Sequence, residues 1–204
     1  MSDYYFRTSD LSVGYGGSVL IHDIEINIKA GEIVTLIGPN GSGKSTILKT
    51  VTKHLAAIKG DSFIADASVS SMSYKELSRK LAVVLTERIK GELLTCRDVV
   101  STGRYPYTNT LGLLSPEDNE KVRSALERVH ALDLADRDFT AISDGQRQRI
   151  LLARAICQEP RIIVLDDKQI AEQGSHEELM RNEKGIYYGL VMAQRNMTKK
   201  KKDS

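Results

Sequence analysis

The chain has 204 residues, with 29 Lys and Arg against 27 Asp and Glu, enough for one sizeable core or two small subdomains. The near balance of charge, +2 overall, gives no argument for nucleic acid as a partner. The longest apolar runs fall far short of a bilayer span, and the N-terminus lacks a charged-then-apolar secretory pattern. Cys96 and Cys157 stand alone without metal spacing, as expected of reduced, semi-buried thiols in a cytosolic protein.

Residues 4–13 and 19–28 read as strands. In the second, Ile24, Ile26 and Ile28 alternate with Glu25 and Asn27, the pattern of a half-buried antiparallel strand. Gly14, Gly16 and Gly17 mark the turn between them. Ala30-Gly31 turns the chain into an apolar strand, residues 33–37, which runs into Gly38-Pro39-Asn40-Gly41-Ser42-Gly43-Lys44-Ser45-Thr46. That run fits G-x-x-x-x-G-K-[ST], a phosphate-binding loop, in the strand–turn–helix setting the pattern requires. Backbone N–H groups in such a loop converge on phosphate oxygens, and the following helix presents its positive end. Lys44 neutralises the β- and γ-phosphates in this reading, and Ser45 offers its hydroxyl to Mg²⁺.

The helix after the loop carries Ile47, Leu48, Val51 and Leu55, a stripe that packs on a sheet. Leu81–Leu85 is a short buried strand. From 95 to 138 the pattern is helical. Val122, Ala125, Leu126 and Val129 form one face, and Ser115-Pro116-Glu117 is a helix start. Residues 145–157 form another helix. Residues 161–166 are an apolar strand ending in Asp166, a carboxylate placed to hold Mg²⁺ in a phosphate-loop protein. Asp167 follows, either as the group that positions or deprotonates an attacking water or as a plain turn residue. Ser175 with Glu178 caps a last helix, and the lysines at 199–202 form a solvated tail.

Ser143-Asp144-Gly145-Gln146-Arg147-Gln148-Arg149, then Leu151-Leu152-Ala153-Arg154-Ala155, then the acidic strand, resemble the signature region of ABC-transporter ATPases. Tyr15, ahead of the glycine turn, matches that family's aromatic that stacks on adenine. Residues 99–107 (Val-Val-Ser-Thr-Gly-Arg-Tyr-Pro-Tyr) look like the helical subdomain of the iron–siderophore, haem and cobalamin importers. The resemblance covers about residues 3–167. It implies an α/β phosphate-loop NTPase of ABC type, with an antiparallel β subdomain at the N-terminus and a helical insertion. The expected divisions are 1–94 (β subdomain and phosphate-loop core), 95–140 (helical subdomain), 141–167 (signature helix and acidic strand) and 168–204. It further implies ATP and Mg²⁺ as ligands. Two copies would sandwich two ATP molecules, each held by one copy's loop and by Ser143, Asp144, Gly145 and Gln146 of the other. Two transmembrane permease subunits would dock on 86–140 at the inner face of the cell membrane.

Three departures from the family pattern stand out. Thr86 occupies the place of a Mg²⁺-sensing Gln at the end of Leu81–Leu85. Asp144 replaces the second signature Gly, and a carboxylate beside a γ-phosphate is unfavourable unless it points away or pairs with a cation. After Asp167 the chain passes at once to Lys168-Gln169-Ile170-Ala171 and a stretch similar to the end of an exporter ATPase. About 60 residues of the family pattern are absent, worth two strands and their helices. The switch histidine goes with them, and His176, inside a capping box, does not replace it. In ABC-type sheets the histidine strand lies between the phosphate-loop strand and the Asp166 strand. The central sheet is therefore expected to re-pair, to be filled by another segment or chain, or to be unstable. Impaired hydrolysis is the alternative to an active importer subunit.

Overall fold

In the computed structural model, which describes residues 3–39, 41–85, 94–109 and 112–166, the chain divides into Met1–Asp166 and Asp167–Ser204, and every described residue belongs to the first unit. Strand β1 (Phe6–Tyr15) folds back on β2 (Ser18–Ile24) through Gly16 and Gly17. Their φ angles of 57° and 82° supply the two left-handed residues that a tight hairpin turn requires. At Gly14 a Cβ would meet the Ser18 carbonyl oxygen at 1.9 Å, so only glycine lets the strands approach.

The expected second strand is broken in two. β2 ends at Ile24, and β3 (Asn27–Ile28) pairs anew with Phe6 and Arg7. The Thr8 hydroxyl bridges the break, donating to the Ile24 carbonyl at 2.7 Å and accepting the Ile26 N–H at 2.8 Å. On the other side of β1 lies β4 (Lys59–Ile64), and beyond it β5 (Ala67–Ser68). The antiparallel order is β2-β1-β4-β5, with β3 also on β1.

A second sheet pairs β6 (Leu81–Leu85) with β7 (Ile162–Asp166) in parallel, from Leu81↔Ile162 to Leu85↔Asp166. Helix α1 (Lys44–Val51) follows the glycine loop, and α2 (Tyr74–Lys80) starts at a Ser73–Glu76 capping box. Helices α3 (Cys96–Ser101), α4 (Pro116–Arg128) and α5 (Asp144–Cys157) lie in sequence between β6 and β7. Each is capped by a Ser or Thr whose side chain accepts an N–H three residues on, and α4 has Pro116 in its first turn. The expected face Val122, Ala125, Leu126 and Val129 is buried among Val99, Val100, Leu134, Phe139 and Ile150. A second cluster joins Leu11, Val13 and Ile64 of the antiparallel sheet to Val51 and Leu81.

The structure corrects three further expectations. Cys96 and Cys157 are fully buried rather than semi-buried. Of the α1 stripe, Val51 is buried with Thr46 and Thr50, while Leu48 and Leu55 are half-exposed. The largest correction concerns residues 33–37, which form no strand. Ile33 and Ile37 are 71% exposed and Val34 is 51% exposed. The physical reason is that strands are stabilised by partners, and among the described residues β7 pairs with β6 alone. Ile162 and Val164 pack on the second cluster, whereas Ile163 and Leu165, on the opposite face, are exposed. Of the anticipated outcomes, re-pairing of β7 with 33–37 is not seen among the described residues.

Candidate phosphate-binding site

The glycine loop opens α1 as an anion site should. Gly43, the N-cap, sits at φ 88°, and the first turn holds no acidic residue. A side chain at Gly43 would also strike Ile21 Cδ1 at 2.5 Å, so this glycine seats the loop against β2. Lys44 bends back over the loop, its Nζ donating to the carbonyls of Gly38 at 2.7 Å and Pro39 at 2.8 Å. These contacts are solvent-facing and hold the ammonium above the turn where phosphate oxygens are expected. The Thr46 hydroxyl donates to the Tyr15 phenol oxygen at 3.3 Å. The exposed Tyr15 ring at the end of β1 therefore stands beside the loop helix, although 31 residues separate the two positions in sequence.

The second candidate turn, the start of α5, is built differently. The Ser143 hydroxyl accepts the Gln146 N–H at 3.3 Å, and the Gln146 side-chain oxygen accepts the Ser143 N–H at 3.0 Å. A Cβ at Gly145 would meet nothing within 4 Å, and its φ is not left-handed. Neither packing nor backbone strain among the described residues calls for glycine there. The Asp144 carboxylate accepts a hydrogen bond from Arg147, so the cation pairing that its position requires is present.

The far end of α5 is anchored by a polar network. Buried Arg104 donates through Nε to Asp118 at 2.8 Å and through Nη1 to the Cys157 carbonyl and to Glu159, both at 2.9 Å. Its guanidinium lies 4.1 Å from the centre of the Tyr107 ring. The Gln158 amide donates to the Leu81 carbonyl at 2.9 Å, tying the helix to β6. The Ser115 N–H, then Arg104, hold the Asp118 carboxyl below its ordinary range. Lys121, then Arg104, do the same for Glu159. Burial pushes the Cys157 thiol up to about 11 and raises Cys96 as well, so both stay protonated and unreactive near neutrality.

The structure thus brings Tyr15 to the Lys44–Thr46 helix start and places the backbone of Asp166 at the C-terminal end of β7, opposite Leu85. Asn40, Thr86, Asp167 and the helix from Ser175, with His176, lie outside the described residues. Among the described residues no helix is long and apolar enough to cross a membrane. Arg104 and its partners were not foreseen from the sequence. The spacing of Arg104, Asp118 and Glu159 follows no local period, so only the fold reveals the network.

Residues 21–169 match the family described as ABC transporter. An uncharacterized ABC transporter ATP-binding protein of Methanocaldococcus jannaschii is 42% identical over 161 residues, 79% of this chain and 56% of that protein. The iron(3+)-hydroxamate import ATP-binding protein of Bacillus subtilis is 37% identical, over 78% of this chain and 60% of its own length. The chain thus spans 56% and 60% of the length of these two relatives. A solved nucleotide-free ATP-binding cassette superposes with a TM-score of 0.72 over 95% of this chain and 78% of that one. At 22% identity it shows the fold alone.

Proposed function

The chain belongs to the ABC transporter family, and we propose that it is the ATP-binding subunit of an importer for ferric siderophore, haem or cobalamin. The observation that carries ATP binding is the loop itself, a left-handed glycine N-cap, an acid-free first turn and a lysine poised over the turn, with the Tyr15 ring alongside. The B. subtilis relative named for iron(3+)-hydroxamate import supports the siderophore class. Haem and cobalamin rest on residues 99–107.

In this reading Tyr15 stacks on adenine. Backbone N–H groups from Gly41 to Thr46, with Lys44, hold the phosphates. Gly38 and Pro39 shape the loop with Asn40 and Ser42. Mg²⁺ would be held by Ser45 and Asp166, with Thr86 reaching it through water, and would supply positive charge to the β- and γ-oxygens. Asp167 positions or deprotonates the attacking water. Ser143 and the Gly145 N–H, with Gln146 holding the cap, receive the γ-phosphate of ATP bound by a second copy. An outside ligand gives the Gly145 position its reason for lacking a side chain. The pair of copies drives two permease subunits at the inner membrane face, docked on residues 86–140.

A second reading, ATP binding with little or no hydrolysis, is favoured by residues 33–37 beneath the loop, which are largely exposed and have no strand partner among the described residues. Catalytic phosphoryl transfer depends on positioning, and a loop rising from an unpaired segment holds Lys44 and Ser45 less firmly. Equilibrium binding of a fluorescent ATP analogue to the purified chain, beside Lys44→Ala and Tyr15→Ala, tests the binding reading. Both substitutions are expected to weaken affinity, and absence of binding by the parent chain contradicts it. Lys44-dependent steady-state turnover above about 0.1 s⁻¹, below the usual enzymatic range, would rule out the second reading.

A further inference from the structure

We propose that Arg147 is a positioning residue that acts through Asp144, as the counter-charge that makes a carboxylate tolerable at the phosphate-receiving start of α5. This rests on the reading that Ser143–Gln146 meets the γ-phosphate of ATP held by a second copy.

Asp144 is the first residue of α5, and its side chain is 80% exposed, against 20% for Arg147. Arg147 is fixed from behind. Its Nη2 donates to the Ile142 carbonyl at 3.3 Å and reaches the Thr140 carbonyl at 3.5 Å. Its guanidinium also stands 5.7 Å from the centre of the buried Phe139 ring. Nη1 is the group given to the Asp144 carboxylate. Within the pair, the cation is therefore the anchored member and the carboxylate the one that faces solvent.

The two charges have opposite consequences for an incoming phosphate. A carboxylate in the first helical turn is favoured by the positive helix end, but that same positive end attracts the phosphate. Asp144 alone therefore competes with the ligand and repels it. Arg147 cancels the repulsion without entering the turn. The two substitutions are consequently expected to oppose each other. Arg147→Ala exposes an uncompensated carboxylate. Asp144→Asn removes the carboxylate and frees a guanidinium to face the phosphate.

The test is Mg²⁺-ATP-dependent self-association of the full chain by sedimentation, beside analogue binding at concentrations too low for association. Arg147→Ala is expected to weaken association about tenfold, a like-charge clash reduced by solvent screening of a carboxylate whose side chain is 80% exposed. Arg147→Lys should retain part of it, because it keeps the charge and loses the fork. The double variant Asp144→Asn, Arg147→Ala should return to within about threefold of the parent chain, since removing both members of a pair removes their mutual term. Equal impairment of Arg147→Ala and the double variant would mean that Arg147 only supports the fold, and would overturn the proposal. So would unchanged association in Arg147→Ala. Failure of the parent chain to associate while it still binds the analogue would overturn it too, and leaves ATP binding intact. Loss of analogue binding in the parent chain would instead strike the functional reading, and the proposal with it.

Discussion

The phosphate loop and the signature turn are both short glycine-containing turns that open a helix, yet they stand on different foundations. The signature turn opens α5, whose inner face carries Ile150 and Ala153 with no exposure and whose far end is locked by Arg104. The phosphate loop rises from residues 33–37, where Ile33, Val34 and Ile37 face solvent. Fully burying one such side chain is worth about 1.5–3 kcal/mol, against a net domain stability of roughly 5–15 kcal/mol. A binding motif can therefore be complete in sequence while the segment that leads into it has no strand partner among the described residues. The helical side has its stabilising contacts within the described residues, and the loop side lacks a strand partner there.

The largest expected effect falls on the anchored side. Arg104→Ala leaves Asp118 buried without its cation, a change that costs about 3–5 kcal/mol. Denaturant unfolding should show the midpoint fall by a corresponding amount, and an unchanged midpoint would deny the network its role.

A paired substitution tests the contrast itself. Ile150→Val, in the core cluster, should cost about 0.5–1.5 kcal/mol. Ile37→Val, the same chemistry at an exposed position, should stay within about 0.5 kcal/mol of the parent. Equal losses in calorimetry would mean that residues 33–37 are as well packed as α5.

A smaller effect concerns acid. Asp118 and Glu159 have folded-state pKa values below their ordinary 3.8 and 4.5. Their contribution is therefore present above those ordinary values and is lost as pH falls through the depressed ones. Thermal melts followed by circular dichroism should show stability falling below about pH 4, with a shallower fall in Arg104→Ala, where the shared partner is gone. An identical slope in both chains would show that the network does not set the acid response.

How much of this was legible in the sequence depends on how local each signal is. Ser115-Pro116 announces α4, and the buried face Val122, Ala125, Leu126 and Val129 follows from a 3.6-residue period. The loop, α5 and β7 are legible for the same reason. β4, β5 and α2 are less legible. Lys59–Ile64 has only Ser62 and Ile64 buried, and it is a strand because β1 offers an edge. For α2 a local signal existed, since Ser73 and Glu76 form a capping box. Residues 33–37 show the converse. Their composition calls for a strand, but strand formation depends on a neighbour, and none is paired to them among the described residues. The Asp144–Arg147 pair, three residues apart on one helix, was within reach of the sequence. The Arg104 network, spanning 55 residues to Glu159, was not.

The measurement that tests the contrast most directly is amide hydrogen exchange of the full chain, read segment by segment. Residues 33–37 are expected to exchange at rates close to those of an unstructured peptide, while 150–157 of α5 exchange only through opening of the helical side. Protection of 33–37 equal to that of α5 would contradict the account, because it would show the phosphate loop standing on a paired strand.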